Sequence, residues 1–397
     1  MAKRLNAFLQ ENSILCNNQF GFRPGFSTEH SLISIIETIK KTIEEKKYGC
    51  GVFIDLKKAF DTVNHKILLH KLEHYGIRNE ALSWFESYLK DRKQYVTINK
   101  TNSTLLTVKC GVPQGSVLGP LLFLLYINDL PNISSKLKIF LFADDTNIYL
   151  DSHDPHTLEK EMNRELIKLY DWLGINRLSL NITKTNFVLF HSINKPKAST
   201  TIKINKKAIE EVKYVKYLGV LIDSQLTFKY HIDELTKKIA RSTGILYKLR
   251  NFVTPKILTN VYYAIVYPFL LYGIIIWGSA CKTFLSSIYL LQKKIVRLIT
   301  YKRPFTHSPP LFLQLKLLNV FDIHKFKLGK FVYETINNHN SVLIKFNKSS
   351  NIHSHETRYA TGGKFYTNYN RTTKYGLNNI TDIRLQSMGF HSYRNTK

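Results

Sequence analysis

The feature that most constrains the fold is the placement of three acidic residues beside short apolar runs. Asp144 and Asp145 separate residues 138–142 from residues 146–150, and this pattern predicts an antiparallel hairpin with the acids at its tip. Asp55 ends a third apolar run, residues 52–54. Ordinary alternatives exist, because an Asp-Asp pair suits any turn and Asp55 suits a helix cap.

The remaining patterns predict helices and strands in mixed order, which makes the fold class α+β. Helices are predicted over residues 28–47, 62–90 with a break near Gly76, 120–130, 155–172, 231–250 and 290–299. Further strands are predicted at 95–110, as a pair around a turn at 100–103, at 187–190, and at 217–222, the last broken by Gly219. From about residue 347 the chain is polar with little periodicity and is expected to be loosely structured.

The charge balance indicates a polyanionic partner. The 397 residues include 57 Lys and Arg against 29 Asp and Glu, a formal net charge of +28. Such an excess favours nucleic acid as the partner, with a generic basic surface as the alternative. Because 44% of the residues are apolar, the chain is expected to fold and is not a disordered basic tail.

Taken together, the acids and the charge favour nucleotidyl transfer. Hard oxygen ligands at strand ends suit Mg²⁺, which keeps waters or substrate phosphates as its other ligands. Two such ions about 3.5–4 Å apart activate an attacking hydroxyl and stabilise the leaving oxygen in phosphoryl transfer. A basic chain with this acid pattern therefore predicts chemistry on nucleotides.

Other features bear on the compartment. The four cysteines stand far apart, without zinc-ligand spacing, and predict neither a disulfide scaffold nor a zinc site. The N-terminus lacks the apolar stretch of a signal peptide, so an intracellular, reducing compartment is expected.

Residues 257–281 carry no formal charge, but Asn260, Pro268 and Gly273 favour two buried helices with a break over one membrane helix.

Longer motifs surround the acids. In chain order they are Gln19–Arg23, Phe53–Asp61, Gly111–Pro120, Phe142–Asp145, Asn181–Thr185 and Lys216–Val220. These motifs and their order resemble the reverse transcriptases of non-LTR retrotransposons of the jockey-like type. The resemblance covers residues 5 to about 300, and more weakly to about 335.

The resemblance implies a right-hand polymerase with fingers, palm and thumb, in which an antiparallel palm sheet carries the catalytic acids. The implied subdomains are partial fingers at 1–48, a palm at 49–225 with a fingers insertion near 76–108, a helical thumb at 226–300 and a C-terminal extension at 301–397.

The resemblance also implies roles for single residues of the catalytic site. The implied catalytic acids and metal ligands are Asp55 and Asp144, together with the adjacent acid Asp145. The implied nucleotide-binding residues are Phe60, as a steric gate that selects deoxynucleotides, Gln114 and Gly115. Lys184 is the implied general acid that protonates pyrophosphate. The alternatives are a core aromatic for Phe60, a tight turn for residues 113–116 and a solvated lysine for Lys184.

Further residues are implied to bind the template and the primer. Tyr217, Leu218 and Gly219 resemble a primer grip, with an ordinary bulged hairpin as the alternative. The cationic residues expected near template or duplex phosphates are Arg23, Arg92, Lys93, Lys237, Lys238 and Arg241, with a solvated face as the alternative.

These inferences predict an RNA-directed DNA polymerase that uses deoxynucleoside triphosphates and Mg²⁺, with Mn²⁺ as the alternative metal. The expected partners are an RNA template and a DNA primer or target used for target-primed insertion. The expected location is the nucleus and cytoplasm, as a ribonucleoprotein without a membrane.

Departures from the family pattern keep two alternatives open. The chain begins shortly before Gln19 and has no match to the family's upstream fingers segment, its endonuclease domain or a ribonuclease H segment. A truncated reading frame is therefore expected, and a catalytically impaired nucleic-acid-binding relic is the first alternative. A maturase-like RNA chaperone is the second, disfavoured because the sequence after residue 300 does not resemble a maturase region.

Overall fold

The computed structural model describes residues 1–196 and 198–337. Within them the chain mixes helix and sheet, which confirms the α+β class. The sheet unit comprises Met1–Ser31 and Lys46–Lys213, and the helical unit comprises Leu32–Glu45 and the described residues from Tyr214 on. The loose structure predicted from about 347 lies outside the described residues.

The helices and strands have the following bounds in the described residues. The helices are α1 Ala2–Glu11, α2 Thr28–Glu44, α3 His65–His74, α4 Asn79–Leu89, α5 Leu118–Ile127, α6 Pro155–Ile175, α7 Lys229–Leu249, α8 Pro255–Ile265, α9 Tyr267–Leu271, α10 Ile274–Trp277, α11 Lys282–Ile299, α12 Pro309–Gln314 and α13 Val320–Asn337. The strands are β1 Tyr48–Ile54, β2 Lys93–Gln94, β3 Thr97–Ile98, β4 Thr101–Asn102, β5 Leu106–Thr107, β6 Lys138–Phe142, β7 Asp145–Ser152, β8 Asn186–Phe190, β9 Lys203–Ile204, β10 Lys207–Ala208, β11 Glu210–Glu211, β12 Tyr214–Tyr217 and β13 Val220–Asp223.

The sheet unit is built around a five-stranded sheet of order β11-β8-β1-β7-β6. Strand β1 pairs antiparallel with both β7 and β8, whereas the short β11 runs parallel to β8. Every residue of β1 is buried, as expected of a central strand that is covered on both faces. The predicted acidic hairpin is β6–β7.

Two helices form much of the core of this unit. Helix α5 is apolar on all sides and nearly every residue in it is buried, which is typical of a helix inside a protein. Helix α6 contacts β1 and β7. It begins where predicted, because Asp154 accepts a hydrogen bond from the Thr157 N–H at 2.7 Å and Pro155 occupies the first turn.

The predicted strand pair at 95–110 forms two short ribbons, β2–β5 and β3–β4. The turn predicted at 100–103 is wrong, because Ile98 pairs with Thr101 and leaves Asn99 and Lys100 as the loop. Both loop residues have positive φ, 49° and 67°. A two-residue hairpin loop requires this conformation, and asparagine tolerates it better than most residues.

The helical unit consists of the β12–β13 hairpin and packed helices, with α7 against α11, α8 and β13. Helices α12 and α13 belong to the same unit and pack against α11. The buried Gln292 of α11 links that helix to α13, because its Oε1 accepts from the Val320 N–H at 2.7 Å.

The uncharged stretch 257–281 differs from the prediction of two buried helices. It lies in three, α8, α9 and α10, because Pro268 begins a new first turn and Gly273 adopts a φ of +63° before α10. Among residues 1–196 and 198–337, no helix combines the length and apolar character needed to cross a membrane.

Candidate active site

The acidic pair lies where the β6–β7 hairpin turns. Phe142 at the end of β6 pairs with Asp145 at the start of β7, so Ala143 and Asp144 form the loop. Ala143 is buried, Asp144 is half-buried and Asp145 is exposed. The hairpin therefore presents two consecutive carboxylates at one edge of the sheet.

Asp55 reaches the same edge from the neighbouring strand. The β1–β7 register pairs Ile54 with Thr146, so its continuation sets Asp55 opposite Asp145. Directly opposed residues of antiparallel strands have Cα atoms about 4.5–5.5 Å apart. The three acids that the sequence placed at strand ends are thus brought together.

Asn181 orients the carboxylate of Asp55. Its Nδ2 donates to Asp55 Oδ2 at 2.8 Å, and its backbone N–H donates to the Asp55 carbonyl oxygen at 2.8 Å. Asn181 was not predicted as a site residue, although it begins the motif Asn181–Thr185. That motif is the sequence signal that could have indicated its role.

The acids interact electrostatically. Protein atoms displace water around the Asp145 carboxylate even though its surface is more than a third exposed, and this desolvation, with the negative charges of Asp144 and Asp55, raises its pKa to about 6. Carboxylates crowded in this way favour a bound cation, since a cation offsets their mutual repulsion.

The donor set fits a hard divalent cation. In the part of the chain that the structure describes, no group of three or more His, Cys, Asp or Glu side chains is arranged to hold a metal ion. Mg²⁺ is commonly held by one or two carboxylates and completes its shell with water and substrate phosphates. Asp55 and Asp144 supply oxygen ligands of this kind.

The loop before α5 lies against the segment that follows Asp55. The Val112 N–H donates to the Phe60 carbonyl oxygen at 2.9 Å, and Gln114 Nε2 donates to Asp61 Oδ1 at 2.8 Å. Gly115 has a φ of +80° with open space where a Cβ would stand. The structure therefore brings Phe60 and Gln114, two predicted nucleotide-binding residues, onto adjoining segments.

Phe60 is half-buried and its ring stacks on that of the buried Phe123, with centroids 4.4 Å apart. The exposed Phe22 meets Phe60 edge-on at 6.5 Å. The stacking restrains the Phe60 ring while part of its surface remains open. The steric gate stays a prediction.

The remaining predicted cations of the sheet unit differ in their surroundings. Lys184 is exposed in the turn that begins at Asn181. Arg23 is half-buried, and its guanidinium donates to the carbonyl oxygens of Cys16 and Gln19. Arg92 and Lys93 are both exposed, with Lys93 in β2 and Arg92 directly before it. Their contacts with template stay predictions.

In the helical unit, Leu218 and Gly219 form the two-residue turn of the β12–β13 hairpin, and Tyr217 is buried at the end of β12. Along α7, Lys237 and Arg241 are exposed one turn apart. Lys238 is half-buried and forms an ion pair with Glu234 of the same helix. The primer grip and the duplex contacts stay predictions.

Comparison with known proteins identifies the family. The family model described as "Reverse transcriptase (RNA-dependent DNA polymerase)" matches residues 1–222. The chain belongs to the reverse transcriptase family.

Curated relatives agree with this assignment. The probable RNA-directed DNA polymerase from transposon X-element of Drosophila melanogaster is 31% identical over 329 residues, which are 81% of this chain and 36% of that protein. The polymerase from mobile element jockey of the same organism is 29% identical and covers 71% of this chain and 32% of that protein. These matches confirm the jockey-like resemblance. The chain spans about a third of the length of the curated relatives it matches.

Among solved structures, telomerase from Candida albicans is similar over 80% of this chain and 58% of its own, with a TM-score of 0.41 and 13% sequence identity.

Proposed function

We propose that this chain is the polymerase part of a non-LTR retrotransposon protein and synthesises DNA on an RNA template. The observation that carries the proposal is the convergence of Asp55, Asp144 and Asp145 at one edge of the sheet, in a chain of the reverse transcriptase family. Deoxynucleoside triphosphates are the substrates, and Mg²⁺ or Mn²⁺ is the metal.

In the proposed reaction the 3′-hydroxyl oxygen of a primer attacks the α-phosphorus of the incoming nucleotide and loses its proton to water, and the bond from the α-phosphorus to the bridging oxygen of the β-phosphate breaks. Divalent metal supplies charge stabilisation at the attacking and leaving oxygens when it is bound. Asp55 and Asp144 would hold it, with Asn181 keeping the Asp55 carboxylate in place. Lys184 protonates the departing pyrophosphate.

The nucleotide is proposed to bind beside the 111–116 loop. Gln114 and Gly115 face it, and Phe60 presses on the position of a ribose 2′-hydroxyl. The stack of Phe60 on Phe123 supports the last assignment, because a ring held from one side discriminates shape better than a mobile one.

Nucleic acid is proposed to bind through the basic surface. The net charge of +28 and the exposed cations Arg92, Lys93, Lys237 and Arg241 support this. In the right-hand arrangement, residues 49–225 act as the palm, 226–300 as the thumb and 217–219 as the primer grip. Insertion by target priming, in a ribonucleoprotein of the nucleus and cytoplasm, belongs to the same proposal.

Primer extension tests the function. The purified chain is given an oligo(dT) primer on poly(rA), dTTP and Mg²⁺, beside Asp144→Asn and the matched control Asp154→Asn. Asparagine also caps helices, so Asp154→Asn should leave α6 intact and incorporation unchanged. Asp144→Asn should abolish incorporation. If no protein incorporates nucleotide while all bind the hybrid, the polymerase proposal is wrong and the nucleic-acid-binding relic replaces it.

A further inference from the structure

The turn that carries Asp144 depends on contacts from outside its own hairpin. Ala143 has a φ of +54°, in the left-handed region that disfavours a residue with a Cβ atom. Ala143 is only 6% exposed, so its N–H needs an acceptor within the protein. The pairing of Phe142 with Asp145 leaves this N–H outside the strand ladder.

Gln19 supplies the acceptor. Its Oε1 accepts from the Ala143 N–H at 3.0 Å and from the Gly21 N–H at 2.8 Å. Gln19 is 1% exposed, so water does not compete for these two bonds. One side-chain oxygen thus ties the acidic turn to the segment around residue 20.

The backbone on either side of Gln19 is held along β6. The Leu141 N–H donates to the Asn18 carbonyl oxygen at 2.9 Å, and the Phe20 N–H donates to the Leu141 carbonyl oxygen at 2.8 Å. The Arg23 guanidinium donates to the Gln19 carbonyl oxygen at 3.1 Å. The acceptor is therefore anchored by three contacts that do not involve the turn itself.

Gly21 allows the close approach that this arrangement needs. A Cβ at this position would stand 2.4 Å from the Ala143 backbone nitrogen. Any residue other than glycine would therefore have to displace the turn. The acidic turn and residues 19–21 thus pack backbone against backbone.

The amide nitrogen of Gln19 does not take part in holding the turn. Its Nε2 is buried and makes no hydrogen bond within residues 1–196 and 198–337. A buried donor without a partner is unfavourable, so an apolar side chain of the same length would avoid that cost. The contribution of Gln19 to the turn comes from Oε1.

We infer that Gln19 is a positioning residue of the catalytic site, which holds the Ala143-Asp144-Asp145 turn in its left-handed conformation and so sets the direction of both carboxylates. The catalytic consequence rests on the proposed function. The effect of Gln19 on the conformation of the turn does not, and it can be measured separately.

The test uses Gln19→Met, which keeps the length of the side chain and removes the acceptor. Gln292→Met is the matched control, because Gln292 is also 1% exposed and also accepts a backbone N–H, from Val320 in the helical unit. The rate of amide hydrogen exchange in the peptide covering residues 139–147 measures how often the turn opens. Steady-state primer extension reports kcat and the KM for nucleotide.

Gln19→Met should speed exchange in that peptide and lower kcat by about 10- to 100-fold, as expected when reacting groups are displaced by about 1 Å. The KM for nucleotide should change by less than about 3-fold, since the loop at 111–116 is untouched. Gln292→Met should lower thermal stability with kcat and the turn peptide unchanged.

Unchanged exchange in the turn peptide would overturn the inference, and so would faster exchange with unchanged kcat. A kcat that falls only in proportion to the loss of folded protein would overturn the inference, because Gln19 would then be a stabilising residue only. An inactive wild type would refute the proposed function and, with it, the catalytic role, while the exchange measurement would still decide whether Gln19 holds the turn.

Discussion

At the scale of single residues, the direction of the Asp55 carboxylate depends on the amide of Asn181, which donates to Oδ2 at 2.8 Å. Asn181→Leu keeps a similar size and removes this donor. We expect kcat for primer extension to fall about 10- to 100-fold through misplacement of Asp55. Asn163→Leu is the control, since Asn163 bonds backbone groups of Thr201 and Lys203. Equal kcat values for the two variants would contradict the role of Asn181.

Phe60 is the residue at which sugar selection is expected. Phe60→Val leaves space where the ring lies on Phe123, so a ribose 2′-hydroxyl should fit. We expect the ratio of ribonucleotide to deoxynucleotide kcat/KM to rise at least about 10-fold, the scale on which pocket shape discriminates one small group. Single-nucleotide incorporation with UTP and dTTP measures it. Phe22→Val, which removes the edge-on neighbour, should leave the ratio unchanged; a ratio that rises equally in both variants would refute the gate.

At the scale of elements, the β12–β13 turn requires glycine. Gly219 has a φ of +81°, and a Cβ there would stand 3.1 Å from the Tyr272 ring. Gly219→Ala should lower the free energy of unfolding by about 1–2 kcal/mol. The same change at Gly244 in α7, where nothing lies within 4 Å of the added Cβ, should raise it by about 0.5–1 kcal/mol. Urea unfolding of both variants measures the two changes in the free energy of unfolding. Changes of the same sign would contradict the requirement for glycine in the turn.

Elements were predictable where the pattern is local. The β6–β7 hairpin and α6 follow from period and caps within a few residues, and the acids at strand ends follow with them. The three helices between 255 and 277 followed only in part, because Pro268 and Gly273 indicate a break without showing that the residues between them form a helix of their own. The bonds from Gln19 and Asn181 join residues 124 and 126 positions apart, and such separations leave no periodic trace in the sequence.

At the scale of the whole molecule, two buried histidines make stability depend on pH. Burial lowers the pKa of His231 and of His324 to about 4 in each case. The unfolded value is about 6.5, so between about pH 4 and 6.5 the unfolded chain binds more protons than the folded chain. The free energy of unfolding is therefore highest above about pH 6.5 and falls as the pH is lowered toward 4, by about 3 kcal/mol in total for each histidine.

Urea unfolding at pH 7.5 and pH 5.0 measures this effect. The helical unit should lose stability at the lower pH, reported by the fluorescence of the buried Trp277, whose ring lies 5.9 Å from that of His231. His231→Phe removes one titrating group, so its loss between the two pH values should be smaller than that of the wild type. An equal loss in both proteins would show that His231 does not contribute.

The net charge of +28 predicts that binding to a nucleic-acid duplex weakens steeply with salt. Each phosphate contact adds about 0.9 to the slope of log K against log salt concentration on duplex DNA. If Lys237 and Arg241 both contact phosphates, Lys237→Gln with Arg241→Gln should lower that slope by about 2. Fluorescence anisotropy of a labelled RNA–DNA hybrid from 50 to about 300 mM KCl measures the slope.

The control must separate local contact from overall charge. Lys302→Gln with Lys330→Gln also removes two positive charges, but from exposed positions outside α7. If binding depends on the total charge of the protein, the two double variants should lose affinity equally. If α7 contacts phosphates directly, the slope should fall only when Lys237 and Arg241 are replaced. Equal slopes would mean that α7 has no preferred role in binding, and the thumb assignment of residues 226–300 would then lose its physical support.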